Sequence, residues 1–584
     1  MRKYLTILLL FIIAAASVPE VVAGPYDWSL SYTFKVANPL RKIIEIEAEY
    51  TFPSTADEVT FQLDDFDSHY TRGYREHIRV FNLTDSKGDK VEVASDSPGA
   101  YRASGLKGTY KAHYNVVMDH YLSQSELGIE DTPLLWGPVA VFPGASVIVY
   151  PKDLGGSRIG SIDVRFVGND EEVFVVPYEK VGRNHYRVES LALLKSEFWS
   201  IGLFDEYVYE KNGDSLIYCI VKEGISYDPD SLKSRIDLIL DFYTQMFGSL
   251  PVHRLSMSVI FTPTSAKTRG MNSFGAVGFQ SFNCLLDEKV ADKDLDSQMG
   301  LISYNLMSFW TPGRFRPDNS SQLDWFTTGV MNYSQLKTML RLGFIDDNEF
   351  MDRLSRTYSA YRDQLDRRGL SLNALLKLAN SNDRTVYEFM ICAMLDLSLI
   401  AETGGEASLD DVLVSLYHTF RGTAGYSEAD LHGLFRELGL TEVDSLMGRH
   451  FREAYPIELK ELLRAFGYTS TLASAGQVDI GLRLTGPDNL SVDWVDPKGA
   501  AKKAGIQPGD ILSQVRGFKI DKASDLPKLI SNLDAGSKIE VTYIRNGKER
   551  DTEITLARRM IQRISPIQPL SSSAKSLWEK YKSI

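Results

Sequence analysis

The sequence predicts a multi-domain protein: an N-terminal antiparallel β-sandwich, a mostly helical α+β domain and a small C-terminal domain of strands with one helix. The chain has 584 residues, of which 43% are hydrophobic and 24% charged. This composition is typical of globular proteins, but the length exceeds what one hydrophobic core supports. Apolar residues alternate with polar ones in the first third, and they recur at helical spacing after Tyr227. A second strand-rich segment begins near residue 471.

The first 23 residues have the pattern of a cleaved signal peptide. Arg2 and Lys3 precede an apolar stretch from Leu5 to Ala16, and Val21-Val22-Ala23 offers a small-residue cleavage site before Gly24. A membrane anchor is the alternative, but a bilayer span needs about 20 apolar residues and this stretch is shorter. No later segment is long and apolar enough to span. We therefore expect an exported protein, periplasmic or extracellular, with no membrane span after cleavage.

Residues 24–205 are predicted to form the β-sandwich. Apolar residues from Ile44 to Phe52 alternate with Glu45, Glu47, Glu49 and Thr51, which places them on one face of a strand. The segment from Ile162 to Phe166 alternates in the same way. Polar turn clusters separate such segments. Short strands at regular spacing favour an antiparallel sandwich.

Residues 206–470 are predicted to form a mostly helical domain. Asp228 can cap a helix that has Pro229 in its first turn and Gly248 at its end. A strand is expected over Leu255–Phe261. A further helix start is predicted at Ser408, which follows two glycines.

Residues 471–558 resemble a PDZ domain of the type found in exported bacterial proteases. The segments that carry the resemblance are IGLRL, AAKKAGIQPGDIL, ASDLPKLISNL and KIEVTYIRNGKE. PDZ domains bind an extended peptide as an added strand, and backbone N–H groups of a loop capture its C-terminal carboxylate. The resemblance places peptide contacts at Ile480, Gly481, Leu482, Leu526, Leu529 and Ile530. An internal linker or the tail (residues 559–584) could fill the groove instead; an amphipathic segment, Ala574–Tyr581, is expected to dock on a neighbouring domain.

Three further segments resemble the exported glycyl aminopeptidases. They are SYNLMSFWTPGRFRP, DWFTTGVMNY and MLDLSLIAETGGEASLDDVL, and the domain order agrees as well. Members of that family combine an N-terminal β-domain, a thermolysin-like zinc peptidase domain and a C-terminal PDZ domain. The resemblance therefore implies a metallopeptidase fold for residues 206–470.

The chain departs from the family at the zinc-motif positions. Tyr304 and Ser308 replace the two histidines, Asn305 replaces the catalytic glutamate and Thr328 replaces the third ligand. A catalytic zinc needs three good N, O or S ligands, and a nearby base must activate its water. Neutral hydroxyl and amide groups supply neither. The family's substrate loop is also degenerate here, at Gly270, Met271 and Asn272. We expect no metal, no cofactor and no catalytic residue of the family type.

No other catalytic pattern replaces the missing one. None of the nine histidines is followed by glutamate, and no two are four residues apart. Cys219, Cys284 and Cys392 form no CxxC pair, so buried thiols or at most one disulfide are expected. A net charge of −13 disfavours nucleic acid as a partner. The leading hypothesis is a non-catalytic binder of peptides or protein C-termini. A peptidase with an unrecognised metal site or nucleophile and a scaffold without an open peptide site remain as alternatives.

Overall fold

A computed structural model describes most of the chain after the predicted signal peptide. It describes residues 28–583 except for gaps at 39–42, 64–73, 119–132, 137–138, 153–158, 169, 212, 222–227, 263–273, 278–279, 288–294, 319, 379–383 and 487–488. The signal-peptide prediction therefore lies outside the described residues. The chain divides into two compact units, Met1–Ile225 with Val252–Glu288, and Ser226–Pro251 with Lys289–Ile584.

The first unit consists of strands and one short helix. In chain order these are β1 (Ser29–Asn38), β2 (Ile43–Gln62), β3 (Ile78–Asp85), β4 (Lys90–Val91), β5 (Ala94–Ser97), β6 (Ala100–Val117), β7 (Leu134–Trp136), β8 (Val139–Pro143), β9 (Tyr150–Pro151), β10 (Ile162–Val167), β11 (Val173–Val175), β12 (Glu179–Gly182), β13 (His185–Val188), α1 (Leu191–Ser196), β14 (Phe198–Gly202), β15 (Phe204–Lys211), β16 (Asp214–Val221), β17 (Arg254–Thr262), β18 (Phe274–Val277) and β19 (Ser281–Asp287).

The N-terminal strands form the predicted sandwich. One sheet has the order β12-β13-β10-β1-β2-β6-β3-β4, with β5 beside β6 and β9 beside β2, and the other has the order β11-β14-β8-β7. Both contribute to one core, where Trp199 of β14 packs edge-on against Phe34 of β1 at 4.9 Å between ring centroids. The alternating residues of β2 and β10 are buried as predicted. The sandwich is not wholly antiparallel, because β1 pairs with β10 in parallel.

A third sheet completes the first unit. Its order is β15-β16-β17-β19-β18, and β17 runs parallel to both β16 and β19. The strand predicted over Leu255–Phe261 is β17. Cys284 of β19 is a buried free thiol, and burial raises its pKa.

The second unit begins with helices. These are α2 (Pro229–Phe247), α3 (Leu295–Met307), α4 (Ser320–Arg341), α5 (Asp347–Arg368), α6 (Leu372–Leu375), α7 (Arg384–Glu402), α8 (Leu409–Phe420), α9 (Glu428–Glu437), α10 (Val443–Met447) and α11 (Leu459–Arg464). Asp228 caps α2, and Gly248, which follows the last residue of this helix, has φ 87°. Ser408 caps α8 reciprocally with Asp411. Among the described residues, no helix combines the length and apolar character needed to cross a bilayer.

The C-terminal domain follows the helices within the second unit. It contains β20 (Tyr468–Asp479), β21 (Leu482–Gly486), β22 (Asn489–Val495), α12 (Ala500–Lys503), β23 (Ile511–Val515), β24 (Phe518–Lys519), α13 (Asp525–Ile530), β25 (Lys538–Arg545), β26 (Lys548–Thr555) and β27 (Ala557–Pro566). Its sheet has the order β21-β22-β23-β25-β26, while β20 and β27 form a separate two-stranded ribbon. A core of its own extends from Ile480 to Leu556.

The tail ends in a helix, α14 (Ser572–Lys582), that docks on the helices of the second unit. Trp578 Nε1 donates to Asp347 at 2.9 Å, and the Tyr581 hydroxyl lies 2.8 Å from that of Tyr333. The tail therefore packs on the helical part of the unit, as its amphipathic pattern predicted. Arg559, at the start of the tail, lines the groove considered next, whereas no residue of α14 does.

Candidate functional site

A groove of about 400 Å³ lies in the C-terminal domain between β21 and α13. It is lined by Gln477, Val478, Asp479, Ile480, Leu482, Arg483, Leu484, Ala523, Leu526, Pro527, Ile530, Ser531 and Arg559. Four of the predicted peptide contacts, Ile480, Leu482, Leu526 and Ile530, are therefore among the lining residues. Gly481 lies in the adjoining loop, and Leu529 packs against the domain core instead.

The groove runs along an unpaired sheet edge. In the part of the domain that the structure describes, β21 is the terminal strand of its sheet and pairs with β22 on one side. Three successive residues of β21, Leu482, Arg483 and Leu484, line the groove. Successive strand residues point to opposite faces, so this pattern places the groove beside the strand rather than over one face. An extended peptide could pair there as a further strand.

The loop that precedes β21 is held in a fixed shape. Gly481 has φ 74°, and a Cβ atom at this position would lie 3.1 Å from the Cα of Gly499. The Asp496 N–H donates to the Gly481 carbonyl at 2.9 Å, and the Ala501 N–H donates to the Ile480 carbonyl at 2.7 Å. Glycine is the residue that adopts this backbone conformation and close approach without strain.

The same loop contains a carboxylate of its own. The Gly481 N–H donates to Asp479 Oδ1 at 3.0 Å, so this donor is not offered to the groove as the sequence led us to expect. The other Asp479 oxygen lies 3.8 Å from Arg483 Nη1. Arg483 also pairs with Asp363 of α5, at 3.1 Å. At the loop end of the groove, the Asp479 carboxylate is therefore held by both the Gly481 N–H and Arg483.

The zinc-motif positions lie on two helices that pack closely. Tyr304 and Asn305 belong to α3, Ser308 follows its last residue, and Thr328 belongs to α4. At Gly300 of α3, a Cβ atom would lie 2.6 Å from the Gln335 side chain of α4. The predicted substrate-loop positions, Gly270, Met271 and Asn272, lie outside the described residues.

The donor set at these positions does not fit a zinc ion. Asn305 Nδ2 donates to the Leu301 carbonyl at 2.9 Å, and Ser308 Oγ donates to the Asn305 carbonyl at 2.5 Å. Both side chains are thus bonded to their own helix. Zinc prefers thiolate, imidazole and carboxylate ligands, none of which Tyr304 or Thr328 supplies. Within the described ranges, no three His, Cys, Asp or Glu side chains are grouped to hold a metal.

A buried carboxyl group that no sequence pattern indicated lies beside these helices. Glu388 of α7 is fully buried. The backbone carbonyl oxygen of Glu388 would be 2.5 Å from a Cβ atom at Gly329 of α4, so α4 and α7 are in contact at this point. Burial raises the pKa of Glu388 to about 7, Arg384 opposes the rise and Asp324 adds to it. The residue was missed because it stands at the start of an apolar helical segment.

Tyr333 belongs to a buried polar network that joins α4, α7, α8 and α14. Its hydroxyl donates to Asp396 Oδ2 at 2.8 Å, and Lys337 Nζ lies 2.9 Å from the same oxygen. Lys337 also reaches Asp410 at 3.1 Å, and Arg341 pairs with that residue too. Burial alone would raise the pKa of Asp410, but Arg341 and Lys337 together hold it well below its usual value. These contacts give Tyr333 a structural role.

Residues 478–556 match the PDZ domain family. This segment is a PDZ domain. Over 70 residues the chain is 33% identical to a probable periplasmic serine endoprotease, DegP-like, from Halomonas elongata, and over 65 residues it is 40% identical to a probable periplasmic serine protease, do/HhoA-like, from Haemophilus influenzae. The matches cover 12% and 11% of this chain, and 15% and 14% of those proteins. The PDZ resemblance is confirmed.

The chain has an aminopeptidase-like multi-domain fold. It is similar to the crystal structure of an aminopeptidase N family protein from Idiomarina loihiensis, with a TM-score of 0.74 over 94% of this chain and 99% of that one. Sequence identity is 14%, so the likeness concerns the fold. The predicted architecture is confirmed: an N-terminal β-rich domain, a helical middle domain and a C-terminal PDZ domain.

Proposed function

We propose that this protein is a non-catalytic relative of the aminopeptidases and binds peptides through its PDZ groove. The observation that carries the proposal is the edge of β21, which lies open beside a groove lined by Ile480, Leu482, Leu526 and Ile530. A peptide that adds as a strand gains main-chain hydrogen bonds from the edge, and the aliphatic wall accommodates an apolar side chain. Affinity should be micromolar, about −8 kcal/mol, because a short peptide loses conformational freedom on binding.

The zinc-motif positions support the non-catalytic part of the proposal. Asn305 cannot accept a proton, and its amide is bonded to the backbone of its own helix. A thiol nucleophile in place of the metal is also disfavoured at Cys284 and Cys392. Cys284 and Cys392 are buried, and burial raises the pKa of both, which keeps them as neutral thiols.

Export is part of the same proposal. The residues before Gly24 have the signal-peptide pattern, and the proteins that share the PDZ segment are named as periplasmic. Expression in a bacterium with two membranes, followed by fractionation and N-terminal sequencing, should yield a periplasmic chain that begins at Gly24. A cytoplasmic chain that keeps Met1 or Arg2 would contradict export.

Two matched variants of the mature chain test peptide binding. Ser531 is exposed and lines the groove, whereas its neighbour Asn532 is exposed and does not line it. Ser531→Trp should fill the groove and weaken binding at least about tenfold, while Asn532→Trp should leave affinity unchanged. The probe is a pool of random octapeptides, and bound peptides are identified by affinity selection and mass spectrometry.

The two alternatives give different outcomes in this experiment. If no peptide is retained by the folded wild-type chain, a scaffold without an open site explains the molecule better. If peptides are retained equally by wild type and Ser531→Trp, binding occurs elsewhere on the chain. If the recovered peptides are shortened from their amino ends, the chain is an active peptidase.

A further inference from the structure

We infer that the PDZ groove binds an internal, extended segment of a protein, with an acidic side chain just past the loop, rather than a free C-terminus. The inference rests on the proposed function and specifies its ligand. Three features of the loop end of the groove support it: a donor already occupied, a groove that continues past the loop, and an unpaired cation beyond it.

The occupied donor is the Gly481 N–H. It donates to Asp479 Oδ1 at 3.0 Å, so the side-chain carboxylate of Asp479 makes the contact that is expected of a peptide's C-terminal carboxylate. Asp479 also lines the groove. A C-terminal carboxylate arriving here would have to displace this side chain or remain close to a like charge, and both costs disfavour it. A ligand whose main chain continues past this point has a neutral peptide group there instead of a carboxylate, so it incurs neither cost.

The groove does not end at the loop. Gln477 and Val478, which precede the loop in β20, line it, as does Arg559 of β27. These residues belong to the β20–β27 ribbon, in which Val478 pairs with Arg558. A ligand that follows the edge of β21 toward the loop can therefore continue onto the ribbon. A groove built only for chain termini would need no such extension.

The charges on the part of the groove that the β20–β27 ribbon lines favour an acidic side chain in the ligand. Arg559 is exposed, and no acidic group of the described residues lies within ion-pair distance of it. Arg483, nearer the loop, is already paired with Asp479 and Asp363. The positive charge that is available to a ligand is therefore that of Arg559, which lies beyond Asp479 where the bound segment would leave the groove. An exposed ion pair between Arg559 and an acidic side chain of the ligand changes affinity about two- to fivefold.

The experiment uses the full mature chain and one pool of random octapeptides in three forms. The forms are the free acid, the C-terminal amide and an amide extended by Gly-Glu-Gly. We expect the acid and the amide to bind within about twofold of each other and the extended form to bind most tightly. Wild-type preference for free acids by tenfold or more would overturn the inference. If no form binds, the proposed function fails, and this inference fails with it.

Variants at two groove positions, with a control at Arg558, give a second readout. Asp479→Ala frees the Gly481 N–H and removes a negative charge, so affinity for the free acid should rise about tenfold relative to affinity for the amide. Arg559→Gln should remove the advantage of the extended form, whereas Arg558→Gln, a change at an exposed neighbour that does not line the groove, should not. If Asp479→Ala leaves the ratio of acid to amide binding unchanged, Asp479 does not occupy the terminus site.

Discussion

Replacement of Glu388 by glutamine tests whether an unsatisfied carboxyl group is buried between the helices of the second unit. The side chain is fully buried, and neither carboxylate oxygen accepts a hydrogen bond from the residues that the structure describes. Arg384 lies 3.2 Å away, one helical turn earlier. Burial raises the pKa of Glu388 from 4.5 to about 7 despite this neighbour.

The direction of the pH effect follows from this shift. The folded chain holds the proton more tightly than the unfolded chain, so the contribution of Glu388 is fully present below pH 4.5 and is lost as the pH rises to about 7. At about 1.4 kcal/mol per pKa unit, the loss amounts to about 3 kcal/mol. Glutamine has no proton to lose. Glu388→Gln should therefore be about 3 kcal/mol more stable than wild type at pH 8, and close to wild type at pH 5.

Thermal unfolding followed by helical circular dichroism measures this difference, because the long helices belong to the second unit. The comparison of wild type with variant at each pH cancels the titration of all other groups. Glu437→Gln, at an exposed position of α9, is the control and should give no pH-dependent difference. An equal difference in stability at both pH values would show that Glu388 does not titrate between pH 5 and pH 8 in the folded chain. A loss of stability at pH 8 would contradict the prediction as well, because it would show that the Arg384 ion pair outweighs burial.

Three further predictions concern the metal, the buried network and the PDZ domain. Wild-type protein should contain no stoichiometric zinc by elemental analysis, whereas a restored motif should bind zinc that a chelator removes; the restored motif is Tyr304→His, Asn305→Glu, Ser308→His and Thr328→Glu. Lys337→Met should cost about 3–5 kcal/mol in chemical denaturation, because it removes a cation from buried Asp396 and half-buried Asp410, while exposed Lys460→Met should cost little. Residues 468–566 should unfold cooperatively as an isolated fragment, because they contain a core of their own; an unfolded fragment would contradict this.

The elements predicted best from the sequence are those whose signals are local. The bounds of α2 follow from Asp228, Pro229 and Gly248, which lie next to the positions they define. The buried faces of β2 and β10 follow from strict alternation, which is also a local property. Neither pattern shows which strand a given strand pairs with. The parallel pairing of β1 with β10 joins segments more than 100 residues apart, and no periodicity indicates it.

In the candidate site, too, the residues predicted from the sequence are those with a local signal. Ile480, Leu482, Leu526 and Ile530 were predicted as groove residues because the PDZ pattern fixes their places in the segment. Arg559 was not predicted, since the pairing of β27 with β20 brings it to the groove from about 80 residues away in the chain. The contact between Asp479 and the Gly481 N–H depends on one side-chain orientation. The order of residues does not specify that orientation.

We propose that the chain binds peptides without cutting them, and one experiment measures both binding and cleavage. The mature protein, supplemented with zinc, is incubated with a pool of random octapeptides, and the peptides that remain bound and those that remain free are analysed by mass spectrometry. We expect that a subset of the pool is retained and that every peptide keeps its full length. Recovery of peptides that lack their amino-terminal residue, in amounts that grow with time and fall when a chelator is added, would contradict it.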